Sequence, residues 1–412
     1  MEDDEVLAIV APGQGAQTPG FLSSWLELPT FADRLAWLSA VSSLDLAMYG
    51  TTADAETIKN TAIAQPLLVT SGMLSALELF PKPSDAFSRI GVVGGHSVGE
   101  ITAAASVGVL SAEAALVFVR ERGAGMAAAS ALLPTGMSAV VGGQADDVLA
   151  RISEYGLTAA NYNGQGQIVA AGTRDQLAKL AANPPARARI VPLSVAGAFH
   201  TQHMGSAQPR LAQLTKAITT HPPRTRLLSN LDGTLVSDGR EFLNRMVAQI
   251  TRPVRWDLCM ETMAQLGVTG MLELPPAGTL TGIARRNLKG VELFNLNSPD
   301  QLDQARDFVA RHGEQGDAAR PTSVPDWMLV VAPAKGEFRR SDVVVDEPLP
   351  VGTRLGTLVN LREQLPVIAS QGGRIVEWLV EDGDPVSPGQ PLARLYPTPD
   401  ADLSDALPGV QN

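Results

Sequence analysis

The chain has 412 residues and a net charge of −11, with 45% hydrophobic and 18% charged residues. This length allows two or three domains, and the apolar fraction excludes global disorder. The acidic charge argues against non-specific binding to nucleic acid. The absence of a secretion signal or a long uncharged apolar run predicts a cytoplasmic protein without a membrane span. A single cysteine, Cys259, excludes a disulfide framework. The five histidines include one close pair, His200 and His203, with no carboxylate cluster around it, which predicts no metal site.

The first part of the chain alternates apolar runs with helical patterns. Val6–Val10 and Ile90–Val93 are short apolar runs that end in glycine-rich loops, as buried strands do. Helical patterns lie between and after them, and Ser111 is placed to cap the helix that follows it. Strands that alternate with helices predict an α/β domain with a parallel sheet.

The region of about residues 130–196 follows a different rhythm. From Met137–Val141 to Ala188–Val195, strand and helix patterns run in the order βαββαβ, which is typical of a ferredoxin-like unit. The sequence therefore predicts a small subdomain inserted into the larger domain. Two further strand candidates and a last helix follow it: Arg224–Leu228, Thr269–Leu274 and Leu302–Val309.

The last quarter of the chain forms a separate predicted unit. Residues 313–328 are polar with several glycines and prolines, which predicts a linker after a first domain of residues 1–312. Residues 329–397 contain an internal repeat of period 37, with eight identities in 29 aligned positions. Two copies of a strand–turn unit predict a small quasi-two-fold β sandwich or barrel. Residues 398–412 are predicted to be a loose tail.

The motif Gly95-His96-Ser97-Val98-Gly99 has the G-x-S-x-G pattern of a nucleophile elbow, between a predicted strand and a predicted helix. Glycines on both sides let the chain turn sharply and expose the Ser97 hydroxyl. The backbone N–H of Val98 then points to where an oxyanion forms. The alternative is a glycine-rich turn with a capping serine.

A serine nucleophile needs a general base, and the residues alone leave several candidates. The histidines are His96, His200, His203, His221 and His312. The loop Pro12–Gln17 follows the first strand at the sheet edge where α/β proteins bind ligands, and it either supplies a second oxyanion donor or is an ordinary turn.

Arg122 shares a helical face with Phe118 and Met126. An arginine on such a face either pairs with a carboxylate, which its planar guanidinium can bind with two hydrogen bonds, or extends its charge to solvent. The residues alone leave both interpretations open.

Together these segments resemble one family, the malonyl-CoA:acyl carrier protein transacylases, which include the acyltransferase domains of fatty-acid and polyketide synthases. The resemblance covers about residues 5–312. Its motifs in chain order are Pro12-Gly13-Gln14-Gly15-Ala16-Gln17, Gly95-His96-Ser97-Val98-Gly99-Glu100, Arg122-Gly123 with Met126, Asn161-Tyr162-Asn163-Gly164 with Gln167, Gly197-Ala198-Phe199-His200 with Met204, Gln249 before Pro253-Val254-Arg255-Trp256, and Glu273-Leu274 with Ala277-Gly278 and Leu280.

The resemblance implies a fold and a catalytic set. The implied fold is a hydrolase-like α/β domain with a ferredoxin-like insert. Ser97 resembles the nucleophile that carries the acyl group as an ester, and His200 resembles the general base. Gln14 and Val98 resemble the backbone N–H pair of the oxyanion hole. Gln249 resembles the residue whose main-chain carbonyl orients the histidine, so the site is a dyad without an aspartate.

The resemblance also implies a substrate. Arg122 resembles the cation that binds the malonyl carboxylate, and Phe199, Met126 and Asn163 are the other expected substrate-binding residues. Because a buried arginine without its partner costs several kcal/mol, Arg122 would select a dicarboxylic acyl group. Val98 and Phe199 further suggest malonyl over methylmalonyl, since a larger α-substituent should clash with Phe199.

The implied reaction moves a malonyl group from coenzyme A to the phosphopantetheine thiol of an acyl carrier protein, without a cofactor. Because that partner is acidic, docking needs a local basic patch on this acidic chain. Arg285, Arg286 and Lys289 are one candidate, and Arg187 with Arg189 another; scattered solvated charge is the alternative. One departure from the family is Pro275-Pro276-Ala277-Gly278, where many relatives have Gly-Pro-Gly.

The C-terminal unit resembles the biotinyl/lipoyl carrier fold. In that family, a lysine at the hairpin tip between the two halves takes the cofactor. Here the tip, residues 359–366, contains no lysine; Glu363 stands near the expected place, and Arg362 cannot form the amide. We therefore expect no biotin and no lipoate. What is expected instead is a small β module for docking, oligomerisation or spacing, with a possible docking partner.

Two other functions use the same features. A serine esterase or thioesterase would share the elbow but admit water, and it would usually place an acidic residue behind the histidine. A non-catalytic scaffold would make the β module the working part.

Overall fold

The chain divides into two units, Met1–Pro321 and Thr322–Asn412. The structure, a computed structural model, describes residues 5–313, 328–360, 364–369 and 372–397. The predicted linker, except at its two ends, and the whole predicted tail lie outside these ranges. The domain boundaries proposed from the sequence therefore stay predictions.

The first unit contains ten strands and fourteen α-helices among its described residues. The strands are β1 Val6–Ala11, β2 Ile90–Gly95, β3 Thr135–Gly142, β4 Thr158–Tyr162, β5 Gln167–Thr173, β6 Ala188–Pro192, β7 Arg226–Leu227, β8 Val254–Arg255, β9 Val268–Glu273 and β10 Glu292–Asn295. The helices are α1 Pro29–Ser42, α2 Leu46–Thr51, α3 Ala55–Lys59, α4 Thr61–Leu79, α5 Pro83–Arg89, α6 Gly99–Ser106, α7 Ala112–Ala131, α8 Ala145–Glu154, α9 Arg174–Ala182, α10 Gln208–Thr215, α11 Gly239–Gln249, α12 Trp256–Gln265, α13 Thr279–Asn287 and α14 Leu302–His312.

Five strands form the predicted parallel sheet, in the order β10-β9-β1-β2-β7. β1 is central, and Leu7–Ala11 are all buried, because helices cover both faces of such a sheet. The neighbours β1 and β2 both end at the carboxyl edge of the sheet. Their following loops, which carry Gln14 and Ser97, therefore lie side by side.

Helices α4 and α7 pack against each other in the core. α4 is long and apolar enough to cross a membrane, but 72% of its apolar window is buried inside the protein, so it is a core helix. α7 begins as predicted: the Ser111 hydroxyl accepts the Ala114 N–H at 3.1 Å. The buried face of α7 includes Phe118, Arg122 and Met126.

The predicted βαββαβ subdomain is confirmed as β3-α8-β4-β5-α9-β6. Its strands lie in the order β6-β3-β5-β4, which is the ferredoxin-like arrangement. A fifth strand, β8, was not predicted; it pairs parallel with β4 through Asn161–Val254 and Tyr162–Arg255. The insert is thus joined to the larger domain by backbone hydrogen bonds as well as by its two connections.

Two predicted strands are shorter than expected. β6 ends at Pro192, which has no N–H to donate to the sheet. β7 is reduced to Arg226–Leu227, since the Arg224 N–H donates to the Val107 carbonyl at 2.9 Å instead of to the sheet.

The described part of the second unit contains eight antiparallel strands: β11 Met328–Val331, β12 Gly336–Arg340, β13 Pro348–Leu349, β14 Arg354–Val359, β15 Gln364–Ile368, β16 Gly373–Trp378, β17 Pro385–Val386 and β18 Pro391–Pro397. They form two four-stranded sheets, β11-β18-β16-β13 and β15-β14-β12-β17. β12, β13 and β14 begin 37 residues before β16, β17 and β18, which confirms the repeat.

The repeated apolar positions form the core of the second unit. Leu355, Leu392 and Ala369 are fully buried, and Ala332 is nearly so. Each sheet takes two inner strands from one half of the repeat and two edge strands from the other half. Residues 361–363 at the predicted tip lie outside the described residues, so the expectation of no biotin and no lipoate rests on the sequence.

Candidate active site

The predicted elbow forms at the junction of β2 and α6. Ser97 has φ of 54°, a left-handed conformation that is strained for a serine. A Cβ on Gly95 would lie 2.0 Å from the Gly99 carbonyl carbon, and one on Gly99 would lie 2.2 Å from the Ala11 oxygen. Only glycine fits at these two positions, so the sequence pattern is a steric requirement of the turn.

Ser97 and His200 are brought together although 103 residues separate them. The serine Oγ lies 2.7 Å from His200 Nε2, and His200 Nδ1 lies 2.8 Å from the Gln249 main-chain oxygen. Because a carbonyl can only accept, Nδ1 carries the proton and Nε2 is free to accept the serine hydrogen. Burial, with help from the nearby Arg122 charge, lowers the pKa of His200 to about 3, so the ring is neutral.

Arg122 is buried, with 1% of its surface exposed, and it points at the same serine. It donates to Gln65 Oε1 at 2.7 Å and to Gln249 Oε1 at 2.9 Å, and its Nη2 is 3.5 Å from Ser97 Oγ. Burial lowers the pKa of the guanidinium to about 10, against the opposing effect of Glu100. The structure therefore excludes the interpretation in which Arg122 extends its charge to solvent.

The loop after β1 packs against the elbow. The His96 N–H donates to the Ala11 oxygen at 3.0 Å, and a Cβ on Gly13 would lie 3.0 Å from the His96 oxygen. The Gln14 side chain donates to the Lys59 oxygen at 3.2 Å. Val98 is the residue before the first turn of α6, where backbone N–H groups have no acceptor within the helix. Both predicted oxyanion donors thus belong to adjoining loops.

The other predicted substrate residues have different surroundings. Phe199 is buried directly before His200, and Met126 is buried with its sulfur 3.5 Å from Gln65 Nε2. Asn163 Oδ1 lies 3.0 Å from His96 Nε2 and, as an amide oxygen, accepts the ring N–H. Asn163 is therefore tied to the residue before the nucleophile, and its role in substrate binding stays a prediction.

Three buried polar residues complete the site and were not assigned a role from the sequence. They are Gln65, Glu100 and Asn230, each 0–1% exposed. Glu100 accepts from the Asn230 backbone N–H at 2.5 Å and from Gln249 Nε2 at 2.6 Å. Asn230 Oδ1 in turn accepts the Ser97 N–H at 2.8 Å. Asn230 lies soon after a strand of the parallel sheet, and this position could have indicated it as a site residue from the sequence.

A cavity of 590 Å³ lies between the beginning of α4 and the end of α7. Its walls include Lys59, Thr61, Ser130 and Val195. Gln14 contacts Lys59 and lies 3.5 Å from the Thr61 hydroxyl, so the cavity is adjacent to the loop that packs against the elbow.

The elbow, the parallel sheet and this Ser–His pair are features of enzymes that use a serine as nucleophile on acyl groups. In agreement, a family model described as acyl transferase domain matches residues 9–316. The malonyl CoA-acyl carrier protein transacylase of Mycobacterium tuberculosis is 48% identical over 299 residues, which are 73% of this chain and 99% of that protein. The chain belongs to the malonyl CoA-acyl carrier protein transacylase family.

Solved structures agree with this assignment. The crystal structure of MCAT from Mycobacterium tuberculosis matches with a TM-score of 0.71 and 48% identity, over 73% of this chain and 99% of that one. A malonyl-transacylase in complex with its type II PKS acyl-carrier protein matches with a TM-score of 0.67 and 25% identity, again over 73% and 99%. The resemblance predicted for residues 5–312 is thus confirmed. The family model ends at residue 316, so the resemblance of the β unit to biotinyl/lipoyl carriers stays a prediction.

Proposed function

We propose that the first unit transfers a malonyl group from coenzyme A to the phosphopantetheine thiol of an acyl carrier protein, through an ester on Ser97. One observation carries the proposal: the Ser97 hydroxyl lies between a neutral histidine at 2.7 Å and a buried arginine at 3.5 Å. The histidine supplies the base for attack, and the arginine supplies a partner for the malonyl carboxylate next to the bond that reacts.

In the first half-reaction, His200 Nε2 takes the proton of Ser97 as Oγ attacks the thioester carbonyl. The resulting oxyanion accepts hydrogen bonds from the backbone N–H groups of Val98 and Gln14. The C–S bond then breaks, the coenzyme A sulfur takes the proton from His200, and the malonyl ester of Ser97 remains. The Gln249 carbonyl holds Nδ1–H throughout, which keeps Nε2 directed at the serine.

In the second half-reaction, the carrier's thiol gives its proton to His200, and the thiolate attacks the ester carbonyl. The C–O bond to Ser97 breaks, and Oγ recovers the proton from Nε2. Because a carbonyl rather than a carboxylate supports the histidine, the positive charge that forms on the ring beside Arg122 is weakly stabilised. Proton transfer out of the imidazolium is therefore favoured as each intermediate collapses.

Selectivity is assigned to Arg122 and Phe199. Malonyl brings a carboxylate that can replace the neutral acceptors Gln65 and Gln249 on the guanidinium with a charge-assisted pair, whereas acetyl leaves the cation without an anion. Phe199 is buried beside the histidine, and we propose that it excludes an α-methyl group.

The acyl carrier protein is proposed to dock near the C-terminal end of α13. Arg285, Arg286 and Lys289 are exposed there. The next residue in this turn, Asn287, accepts the Gln165 N–H at 2.7 Å, which connects the patch to the loop of Asn163. Exposed Arg187 and Arg189 are the second candidate. We further propose a cytoplasmic location, and a docking role for the β unit.

Mass spectrometry of the intact protein tests this function. Brief exposure to malonyl-CoA should add one malonyl group to the wild type and to the control variant Ser88→Ala, an exposed serine in α5, before the start of β2, whereas the elbow follows the end of β2. Ser97→Ala should show no adduct, and acetyl-CoA should give little with any of the three. Release of free malonate without an adduct would indicate a hydrolase instead, and an adduct on Ser97→Ala would refute the assigned nucleophile.

A further inference from the structure

Glu100 directly follows the elbow motif and lies in the first turn of α6, with 1% of its surface exposed. We infer that Glu100 is a positioning residue for both halves of the site: through Asn230 it holds the nucleophile, and through Gln249 it holds the arginine that receives the malonyl carboxylate. This inference rests on the proposed function. In this role the Glu100 carboxylate acts directly on neither the histidine nor the substrate.

The connection to Arg122 has a fixed direction. An arginine can only donate hydrogen bonds, and an ionised carboxylate can only accept them. The Gln249 amide between them must therefore present Oε1 to Arg122, at 2.9 Å, and Nε2 to Glu100, at 2.6 Å. Reversal of the amide would set donor against donor at one contact and acceptor against acceptor at the other.

The amide has a consequence for substrate binding. Within the described ranges, no carboxylate forms an ion pair with Arg122, so its guanidinium keeps neutral acceptors that malonyl can displace. A carboxylate in direct contact would occupy the same N–H groups. Glu100 lies one amide away from Arg122. Burial raises the pKa of its carboxyl to about 8, against the opposing effects of the Asn230 N–H and the Arg122 charge, and in its ionised form it provides a negative charge for the buried cation. The guanidinium is thus open to a second carboxylate.

The connection to Ser97 runs through Asn230. Its backbone N–H donates to Glu100 at 2.5 Å, while its side chain accepts the Ser97 N–H and donates to the Gly95 oxygen, both at 2.8 Å. These two bonds hold the strained turn on either side of His96. Since Asn230 uses its own backbone to reach Glu100, the carboxylate fixes where the asparagine sits.

Glu100→Gln separates the two connections. The new side chain keeps an oxygen for the Asn230 N–H, but it presents an NH₂ group to Gln249 Nε2, and the donors repel. We expect kcat/KM for malonyl-CoA to fall roughly 10- to 100-fold, the cost of one hydrogen bond to a charged group. Sulfonylation of Ser97 by phenylmethylsulfonyl fluoride, which does not need Arg122, should change far less. The melting temperature shows that the variant is folded.

A second substitution tests the direction of the hydrogen bonds. In Glu100→Gln with Gln249→Glu, the new carboxylate can accept from both Arg122 and the new amide, which restores these two contacts. The bond from Gln249 Nε2 to Asn230 Oδ1 at 3.2 Å is not restored. We expect the melting temperature and the sulfonylation rate to rise above those of the single variant towards wild-type values, while malonylation stays low because Glu at position 249 occupies the guanidinium. Glu100→Ala, which loses both connections, should lose malonylation and sulfonylation together.

Three results would overturn the inference: unchanged malonylation in Glu100→Gln, an equal loss of both reactions in that variant, or a double variant no better than the single one. The proposed function is judged separately, by malonylation of the wild type. If the wild type formed no adduct, sulfonylation and melting of the same variants would still decide whether Glu100 positions the serine.

Discussion

Removal of the Arg122 guanidinium should abolish the preference for a dicarboxylic substrate. In Arg122→Ala, the malonyl carboxylate would enter a buried site whose other hydrogen-bond partners are the amides of Gln65 and Gln249. The substitution removes a planar pair of charge-assisted hydrogen bonds, each of which contributes about 1.5 kcal/mol. The total loss of about 3 kcal/mol corresponds to roughly a 150-fold lower kcat/KM for malonyl-CoA. Acetyl-CoA makes no such pair, so its rate should change much less.

The assay is a comparison of kcat/KM for malonyl-CoA and acetyl-CoA at saturating holo acyl carrier protein. Arg120→Ala is the matched control, because Arg120 lies two residues away on the same helix and is partly exposed, bonded to the Ser42 oxygen and to Glu121. The control should keep the wild-type ratio of malonyl to acetyl. If Arg122→Ala also kept that ratio while remaining folded, the guanidinium would not be the carboxylate receptor, and the substrate assignment would fail.

Three further predictions concern the base, the substrate pocket and the turn. The rate of Ser97 acylation, measured in single turnovers without carrier, should hold from pH 7 to pH 5, because a lowered His200 pKa of about 3 keeps the base neutral; a loss centred at the ordinary value of 6.5 would contradict this. Phe199→Ala should raise kcat/KM for methylmalonyl-CoA relative to malonyl-CoA roughly tenfold, and an unchanged ratio would remove Phe199 from the pocket. Gly95→Ala should lower the melting temperature and abolish Ser97 sulfonylation, because the new Cβ would lie 2.0 Å from a backbone atom. The control Gly205→Ala, with open space around it, should do neither. An active Gly95→Ala would refute the steric argument.

The elements that the sequence predicted well are those with a local cause. The elbow follows from two glycines within five residues, and the insert follows from alternating strand and helix patterns. The repeat was visible because its turns and apolar positions recur at a fixed spacing. In each case, the residues that determine the structure are close in the chain or repeat regularly, so their pattern can be read without knowledge of the fold.

The polar network behind the nucleophile has no such local pattern. Glu100 is separated from Asn230 by 130 residues and from Gln249 by 149, and each of the three is a single polar residue in an ordinary segment. Glu100 lies in α6, Gln249 at the end of α11 and Asn230 after β7. These three residues meet only because the tertiary fold packs the three segments together. The added strand β8 was missed for the same reason: two residues of strand carry too little pattern, and their partner is the distant strand β4.

The exchange of strands between the two halves of the β unit makes them interdependent. Each half supplies the edge strands of the sheet whose central strands belong to the other half. Two subunits exchange segments in the same way in a domain-swapped dimer. Neither half alone can complete a sheet or cover Leu355 and Leu392, so an isolated half should remain unfolded. The unit should accordingly lose its structure in one cooperative step, and two half-length peptides supplied together should rebuild it.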